Sequence, residues 1–272
     1  MFRLEEIIDE SMAKLLEAIR ANEPKVFERI LEFIGRMDSR SGQFLSNLSN
    51  ERTLALFEQY VQGVLDDLGI NKEVSEFVKT FDDASKYTLG LQKTINGITV
   101  PANDILKRWR QYSVSTTVEN MVGNGLSSTY SKDIEKILGD AVFGGGSLSD
   151  VYKNIREYAL TTDKRQGGLL THFQQVSRDS VGQYTGGINR IVAKQYNLDA
   201  LEYVGSLVKD SRKQCERWVG METLLIKDLE KEIRWAENNG SGLIPGTNPD
   251  NFIINRGGYN CRHEAIPTRS KK

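Results

Sequence analysis

Apolar residues recur at helical spacing through the first two thirds of the chain. Leu4, Ile8, Leu15 and Ile19 are four or seven residues apart, which places them on one face of a helix. Similar apolar stripes follow up to about Val118. The pattern predicts a succession of amphipathic helices, with a second helix beginning at Pro24 because proline suits the first turn.

Glycine and polar residues divide this helical pattern. Gly144, Gly145 and Gly146 form the clearest break, and Ser147 follows with an acidic residue three positions on, as at a helix N-terminus. Residues 161–168 are polar and contain glycine, which is typical of a domain boundary. We therefore expect a helical interaction region over residues 1–165 and a separate domain over residues 166–272.

The last hundred residues have a different sequence pattern, which predicts strands as well as helices. A long helix is expected over Leu169–Tyr196, a strand over Tyr203–Val208, a short helix over Arg212–Val219 and a strand over Phe252–Asn255. This mixture is typical of a small α+β unit. The predicted fold class is thus mainly α, with a long helical N-terminal region followed by a small α+β C-terminal domain.

The composition of the chain argues against several classes of protein. The 36 Lys and Arg residues nearly balance the 37 Asp and Glu residues, so no overall basic charge directs the chain to nucleic acid. No apolar run approaches the roughly 20 residues that span a bilayer, so we expect no membrane partner. The acidic N-terminus is unlike a secretory signal, which favours residence in a cytoplasm. Two cysteines are too few for a disulfide framework.

Two segments of the C-terminal region resemble one known family. GSLVKDSRKQCERWVG, followed some forty residues later by GGYNCRHEAIP, is similar to the C-terminal signature of the phage Mu F-type head morphogenesis family. The resemblance covers roughly residues 166–272. Its signature residues in this chain are Asp210, Ser211, Arg212, Cys215, Gly257, Gly258, Cys261, Arg262 and His263.

The resemblance implies a structural part of a virus rather than an enzyme. Proteins of this family are minor capsid proteins that associate with the portal and enter the procapsid during assembly of a tailed-phage head. The expected partners are therefore the portal protein and other head proteins, and the expected locations are the host cytoplasm during assembly and then the virion. The unpartnered helical stripes of residues 1–165 favour self-association as well.

Three interpretations remain open for Cys215, Cys261 and His263. They are zinc-ligand types, with Asp210 as a candidate fourth ligand, although the sequence lacks paired Cys-x-x-Cys spacing. A Cys215–Cys261 disulfide is the second interpretation. The third, which the sequence favours, is two buried thiols and a hydrogen-bonded histidine without any cofactor. Under each of them we expect the three side chains to converge.

The arginines of the signature have a structural interpretation. Arg212 and Arg262 can each hold a carboxylate or several carbonyl groups, and Asp210 is the natural partner for one of them. A metal-dependent nuclease using His263 and Asp210 is the enzyme alternative, but the second histidine and the asparagine of such sites are missing. A generic helical adaptor is the other alternative.

A basic and aromatic patch bears on nucleic-acid binding. Lys107, Arg108, Trp109, Arg110 and Tyr112 lie on one predicted helix. Such a patch suits contact with phosphates, although solvated helix faces often have the same composition. Contact with packaged DNA is compatible with a head protein.

Overall fold

The computed structural model describes residues 3–270, and helices dominate them. The helices are Arg3–Ile34 (α1), Leu48–Leu54 (α2), Phe57–Asp67 (α3), Ile70–Phe77 (α4), Thr80–Asn96 (α5), Asp104–Val122 (α6), Asn124–Leu126 (α7), Lys132–Gly144 (α8), Leu148–Ala159 (α9), Gly168–Gln195 (α10), Lys213–Val219 (α11), Leu229–Asn239 (α12) and Phe252–Asn255 (α13). A π-helical turn at Ser127–Ser131 precedes α8, and a 3-10 turn at Ile226–Asp228 precedes α12. The predicted class, mainly α with a small α+β C-terminal part, is confirmed.

Two small antiparallel sheets complete the described structure. The first pairs Ser39–Arg40 (β1) with Gln43–Phe44 (β2). The second contains Ala200–Val204 (β3), Leu224–Leu225 (β4) and Glu264–Thr268 (β5), in the order β4-β3-β5. The central β3 pairs along its whole length with β5, from Ala200 opposite Thr268 to Val204 opposite Glu264. The terminal strand is thereby fixed beside the first strand of the C-terminal region.

The chain divides into two compact units whose ranges interleave in the sequence. Unit 1 contains Met1–Ser11, Val78–Ser115 and Ser177–Lys272, and unit 2 contains Met12–Phe77 and Thr116–Val176. These units differ from the expected ranges 1–165 and 166–272. The reason is that long-range contacts decide which helices share a core, and apolar periodicity gives only the buried face of each helix.

Unit 2 is built on the greater part of α1. Leu15, Ile19, Val26 and Ile30 are all buried along one stripe of that helix. The prediction that a second helix begins at Pro24 is wrong, because α1 continues through Pro24. An internal proline costs about 3 kcal/mol, and the apolar residues buried on both sides of it more than offset that cost.

The Ser147 prediction is confirmed in the same unit. The Ser147 hydroxyl accepts hydrogen bonds from the backbone N–H groups of Ser149 and Asp150 at the start of α9. The glycine break before it is also real, since α8 ends at Gly144 and Gly145 has a positive φ of 67°. Glycine takes this conformation without the steric cost that a Cβ brings.

Unit 1 places the helix pair α5 and α6 in the same core as residues from α10 onward. The Trp109 indole N–H donates to the Tyr184 carbonyl at 2.9 Å, and the Gln92 amide donates to Asn189 at 3.0 Å. Phe81 meets the Tyr184 ring edge-on, with 4.7 Å between the ring centroids. Residues 78–115 therefore belong structurally with the C-terminal segment.

Two strand predictions in unit 1 need correction. The strand expected over Tyr203–Val208 begins earlier and ends at Val204, because the chain leaves the sheet at Gly205. Phe252–Asn255 was expected as a strand and forms the short helix α13. Phe252 and Ile253 are both buried on this helix, so a short apolar run satisfies either conformation and does not distinguish them.

None of the helices within residues 3–270 is both long enough and apolar enough to cross a membrane.

Candidate functional site

The first half of the signature is a turn that leads into α11. The Ser211 hydroxyl accepts a hydrogen bond from the Val208 N–H at 2.8 Å, and the Ser211 N–H donates to the Val208 carbonyl at 2.9 Å. This closed turn sets Arg212 as the residue before α11. On α11 the side chains of Gln214, Cys215 and Trp218 are buried.

Arg212 and Gln214 hold the second half of the signature in place. The Arg212 guanidinium donates to the Gly257 carbonyl at 2.9 Å and to the Tyr259 carbonyl. The Gln214 amide donates to the Ser241 carbonyl at 2.6 Å and to the Gly257 carbonyl at 3.3 Å. The terminal loop therefore gains from side chains the hydrogen bonds that a sheet would otherwise supply.

Gly257 and Gly258 are both required by close packing. A Cβ on Gly257 would lie 2.8 Å from the Tyr203 hydroxyl and 2.9 Å from the Cys261 sulfur, and nearer still to the Cys215 sulfur. Gly258 has a φ of 105°, and a Cβ there would overlap the carbonyl oxygen of Gly242. Only glycine fits these two positions without a shift of the neighbouring atoms.

The predicted convergence of Cys215, Cys261 and His263 is confirmed. One donor atom from each of these residues lies within 4.8 Å of the other two. The Cys261 sulfur is 3.7 Å from His263 Nδ1. The Tyr203 hydroxyl joins this buried cluster, at 3.3 Å from the Cys261 sulfur and 3.7 Å from the Cys215 sulfur. We call these four side chains the sulfur cluster.

Aromatic rings enclose the sulfur cluster. The Tyr203 ring stacks on the His263 ring, with centroids 5.4 Å apart and an interplanar angle of 16°. Trp218 meets Tyr203 edge-on at 5.3 Å, and Phe252 meets Trp218 edge-on at 5.0 Å. Trp218 and Phe252 are fully buried. These contacts give the polar atoms of the cluster an apolar surround, in which their mutual interactions are strong.

The two thiols of the cluster differ in acidity. The hydrogen bond between them lowers the pKa of Cys261, with further help from His263 and the Arg256 guanidinium. The same hydrogen bond, together with burial, raises the pKa of Cys215. Burial raises the pKa of the Tyr203 hydroxyl as well.

Buried charges support the loop that carries Cys261. Arg256 is 4% exposed and donates to the His263 carbonyl at 3.0 Å. The Asp179 carboxylate accepts a hydrogen bond from the Asn260 N–H at 2.5 Å. Burial raises the pKa of Asp179 to about 6, against the lowering effect of the Asn260 hydrogen bond.

The structure places the remaining signature residues outside the sulfur cluster. Asp210 is exposed and is not part of the cluster, so the suggestion that it supplies a fourth ligand is wrong. It also partners neither signature arginine through a described ion pair. Arg212 holds carbonyl groups instead, and Arg262 lies 3.6 Å from Glu5 in a half-exposed ion pair.

A cavity of about 270 Å³ adjoins the cluster. Tyr203, Cys261 and Arg256 line it on one side, and Arg178 lines it together with Asp9. Arg178 and Asp9 form an ion pair at 2.9 Å. Both signs of charge occur in this cavity, so it favours neither an anionic nor a cationic ligand.

Sequence reasoning missed Tyr203 and Asp179 as parts of this site. Tyr203 was assigned only to a strand, and Asp179 lies on the long helix α10, far along the chain from the signature. A buried strand position occupied by tyrosine was an available signal, because a buried hydroxyl needs a polar partner. Asp179 gave no such signal.

No family model, no curated protein and no solved structure matches the chain.

Proposed function

We propose that this chain is a minor structural protein of a tailed-phage head, associated with the portal and with procapsid assembly. The observation that carries the proposal is the meeting of the two signature segments. Cys215 on one segment meets Cys261 and His263 on the other in a buried cluster, and half-buried Arg212 joins the segments by donating to the Gly257 carbonyl. Segments that resemble a family signature and also fold against each other support membership more strongly than either segment alone.

The chemistry of the unit supports a structural role. Arg212 is satisfied by backbone carbonyl groups, and the ring of His263 is stacked on Tyr203 and buried. A nuclease would need Asp210 and His263 to act on one substrate, whereas Asp210 is exposed and outside the cluster. These groups find their partners within the protein and hold the terminal loop in place.

The decisive experiment is co-purification with the portal protein. The full chain carries an affinity tag and is co-expressed with the portal protein encoded by the same genome. We expect a complex that survives gel filtration, and we expect mass spectrometry to find the chain in purified heads at few copies. A portal protein from an unrelated phage serves as the control, and it should not bind.

Two results would contradict the proposal. Failure to bind the matched portal protein, with absence from purified heads, would favour a generic helical adaptor. Degradation of plasmid DNA with Mg²⁺ or Zn²⁺ that is lost on His263→Asn would identify a nuclease instead. The His172→Asn variant is the matched control for the second assay, since His172 is the other histidine of the chain.

The α6 helix supplies the groups for contact with packaged DNA under this proposal. Lys107, Arg108 and Tyr112 are exposed, whereas Arg110 forms a two-pronged ion pair with Asp82. We expect weak, salt-dependent DNA binding that the double variant Lys107→Glu, Arg108→Glu reduces. Binding that is insensitive to salt and to this variant would contradict a role for α6.

A further inference from the structure

The sulfur cluster has the composition of a metal site. Cysteine sulfur and histidine nitrogen are the preferred ligands of zinc in proteins. Cys215 and Cys261 carry free thiols, and His263 directs Nδ1 toward the Cys261 sulfur. These residues come from α11 and from the segment before β5, so a shared ion would join two parts of the chain that are distant in sequence.

The spacing of the donor atoms fits one tetrahedral ion. With zinc–sulfur bonds of about 2.3 Å and zinc–nitrogen bonds of about 2.0 Å, neighbouring ligand atoms of a tetrahedron lie about 3.5–3.8 Å apart. The distance from the Cys261 sulfur to His263 Nδ1 is 3.7 Å. All three donor atoms lie within 4.8 Å of one another, so they are close enough to share one ion.

The Tyr203 hydroxyl lies beside both sulfurs. It is 3.3 Å from the Cys261 sulfur and 3.7 Å from the Cys215 sulfur, which is close to the edge lengths of the same tetrahedron. Room for the cluster comes from Gly257, since a Cβ at that position would overlap both sulfurs and this hydroxyl. The absence of a side chain at residue 257 thus allows the two sulfurs and the hydroxyl to pack together against the backbone of this loop.

We propose that Cys215, Cys261 and His263 bind one zinc ion, with the Tyr203 hydroxyl at the fourth position. Two thiolates balance the two charges of the ion, which makes the occupied site neutral and suits its burial. This site is independent of the proposed function, because it follows from the donor atoms alone.

Metal analysis of the full chain tests the proposal directly. The protein is purified in reducing buffer, loaded with zinc, dialysed and analysed by mass spectrometry for metal. We expect about one zinc per chain, in keeping with a single site of this ligand type. Substitution with Co²⁺ should give the visible bands of a tetrahedral ion and a near-ultraviolet band from thiolate ligands. Chelation should lower the melting temperature, and added zinc should restore it.

Variants then locate the ion. Cys215→Ser, Cys261→Ser and His263→Asn should each lose zinc and the thiolate band, whereas His172→Asn should keep both. His172 lies in unit 2, where it contacts Thr129 and the Asn120 carbonyl. Tyr203→Phe keeps the ring and removes the hydroxyl, and it should weaken zinc binding by about 10–100-fold, as loss of a supporting group does.

Several outcomes would overturn the proposal. A zinc-loaded wild-type chain with no bound metal and two titratable thiols would show an ordinary buried thiol pair. Metal-free protein with no titratable thiols after unfolding without reductant would show a disulfide. Zinc retained in the cysteine variants would place the ion elsewhere, and unchanged affinity in Tyr203→Phe would remove the hydroxyl from the site. The wild-type measurements stand even where a variant fails to fold.

Discussion

Replacement of Gly258 by alanine isolates the effect of close packing at the terminal loop. Gly258 has a φ of 105°, and a Cβ there would overlap the Gly242 carbonyl oxygen. Gly246 is a matched control in the same unit, because it also has a positive φ, of 78°, but a Cβ there would meet nothing within 4 Å. The two substitutions therefore share backbone strain and differ in steric overlap.

The expected free energies follow from these two components. Alanine at a positive φ costs about 1–3 kcal/mol in strain, and it recovers about 0.4–1 kcal/mol by restricting the unfolded chain. We expect Gly246→Ala to destabilise by about 1 kcal/mol on this balance. Gly258→Ala adds overpacking against backbone, which costs a further 1–3 kcal/mol or so. It also disturbs the hydrogen bond from the Tyr259 N–H to the Gly242 carbonyl.

Urea denaturation followed by tryptophan fluorescence measures the difference, since Trp218 is fully buried beside this loop. We expect Gly258→Ala to lose about 2 kcal/mol more than Gly246→Ala, which is roughly a thirtyfold change in the unfolding equilibrium. Gly257→Ala should be at least as damaging, because its Cβ would enter the sulfur cluster. Equal losses in Gly258→Ala and Gly246→Ala would refute the reasoning, since strain alone would then explain both.

Three further predictions test other parts of the chain. Glu232→Gln should lower the free energy of unfolding in urea by about 2–3 kcal/mol, because the buried Glu232 carboxylate accepts two hydrogen bonds from the Arg217 guanidinium. The control Glu230→Gln, at an exposed position, should lower it by less than about 0.5 kcal/mol. Equal losses in the two variants would contradict this prediction. The pKa of Asp179 is raised from 3.8 to about 6, so its protonated form is favoured by folding. Protonated Asp179 therefore adds fully to the free energy of unfolding below pH 3.8, and this stabilisation is lost as the pH rises through 6. Across that interval the free energy of unfolding of the wild type should fall by about 3 kcal/mol relative to that of Asp179→Asn. A difference between the two proteins that stays constant with pH would contradict the shift. Residues 1–165 expressed alone should be oligomeric or partly unfolded by circular dichroism and gel filtration, because residues of unit 1 would lose their packing partners; a compact monomer with a sharp melting transition would contradict this.

Local chemistry explains which elements were predictable from the sequence. The N-terminus of α9 follows from Ser147 because a hydroxyl at that position satisfies free N–H groups within the same turn. The end of α8 follows from Gly145, because glycine takes the positive φ that ends a helix without steric cost. Where the local signal and the tertiary environment disagree, the environment decides. α1 passes through Pro24 because the apolar stripe on both sides of it is buried.

The division into two units could not be predicted from local sequence pattern, and the reason is different. The stripe of α5 and α6 shows that these helices have a buried face, but many apolar surfaces could cover it. The partner is specified by side-chain pairs such as Gln92 with Asn189 and Trp109 with the Tyr184 carbonyl. These residues are distant in sequence, and no spacing rule connects them. The periodicity of a long helix therefore predicts which of its faces is buried, but it does not predict which helix packs against that face.

The candidate site was predictable in its composition and not in its full membership. The family resemblance predicted that Cys215, Cys261 and His263 lie close together, and the structure confirms that they do. Tyr203 completes the cluster from β3. Because tyrosine is common in β-strands, its presence there did not indicate a site. Asp210 failed as a member because the turn closes through Ser211, which leaves the preceding side chain in solvent.

The terminal loop shows why the signature combines arginine, glycine and cysteine. Residues 256–260 lie outside the sheet, so side chains supply partners for several of their carbonyl and N–H groups, while other backbone groups meet the rest. Arg212 supplies two of these bonds and Asp179 supplies a third. Side chains can reach the loop only if it approaches closely, and Gly257 and Gly258 permit that approach. The approach in turn brings the Cys261 sulfur against that of Cys215, so one loop conformation accounts for all three residue types.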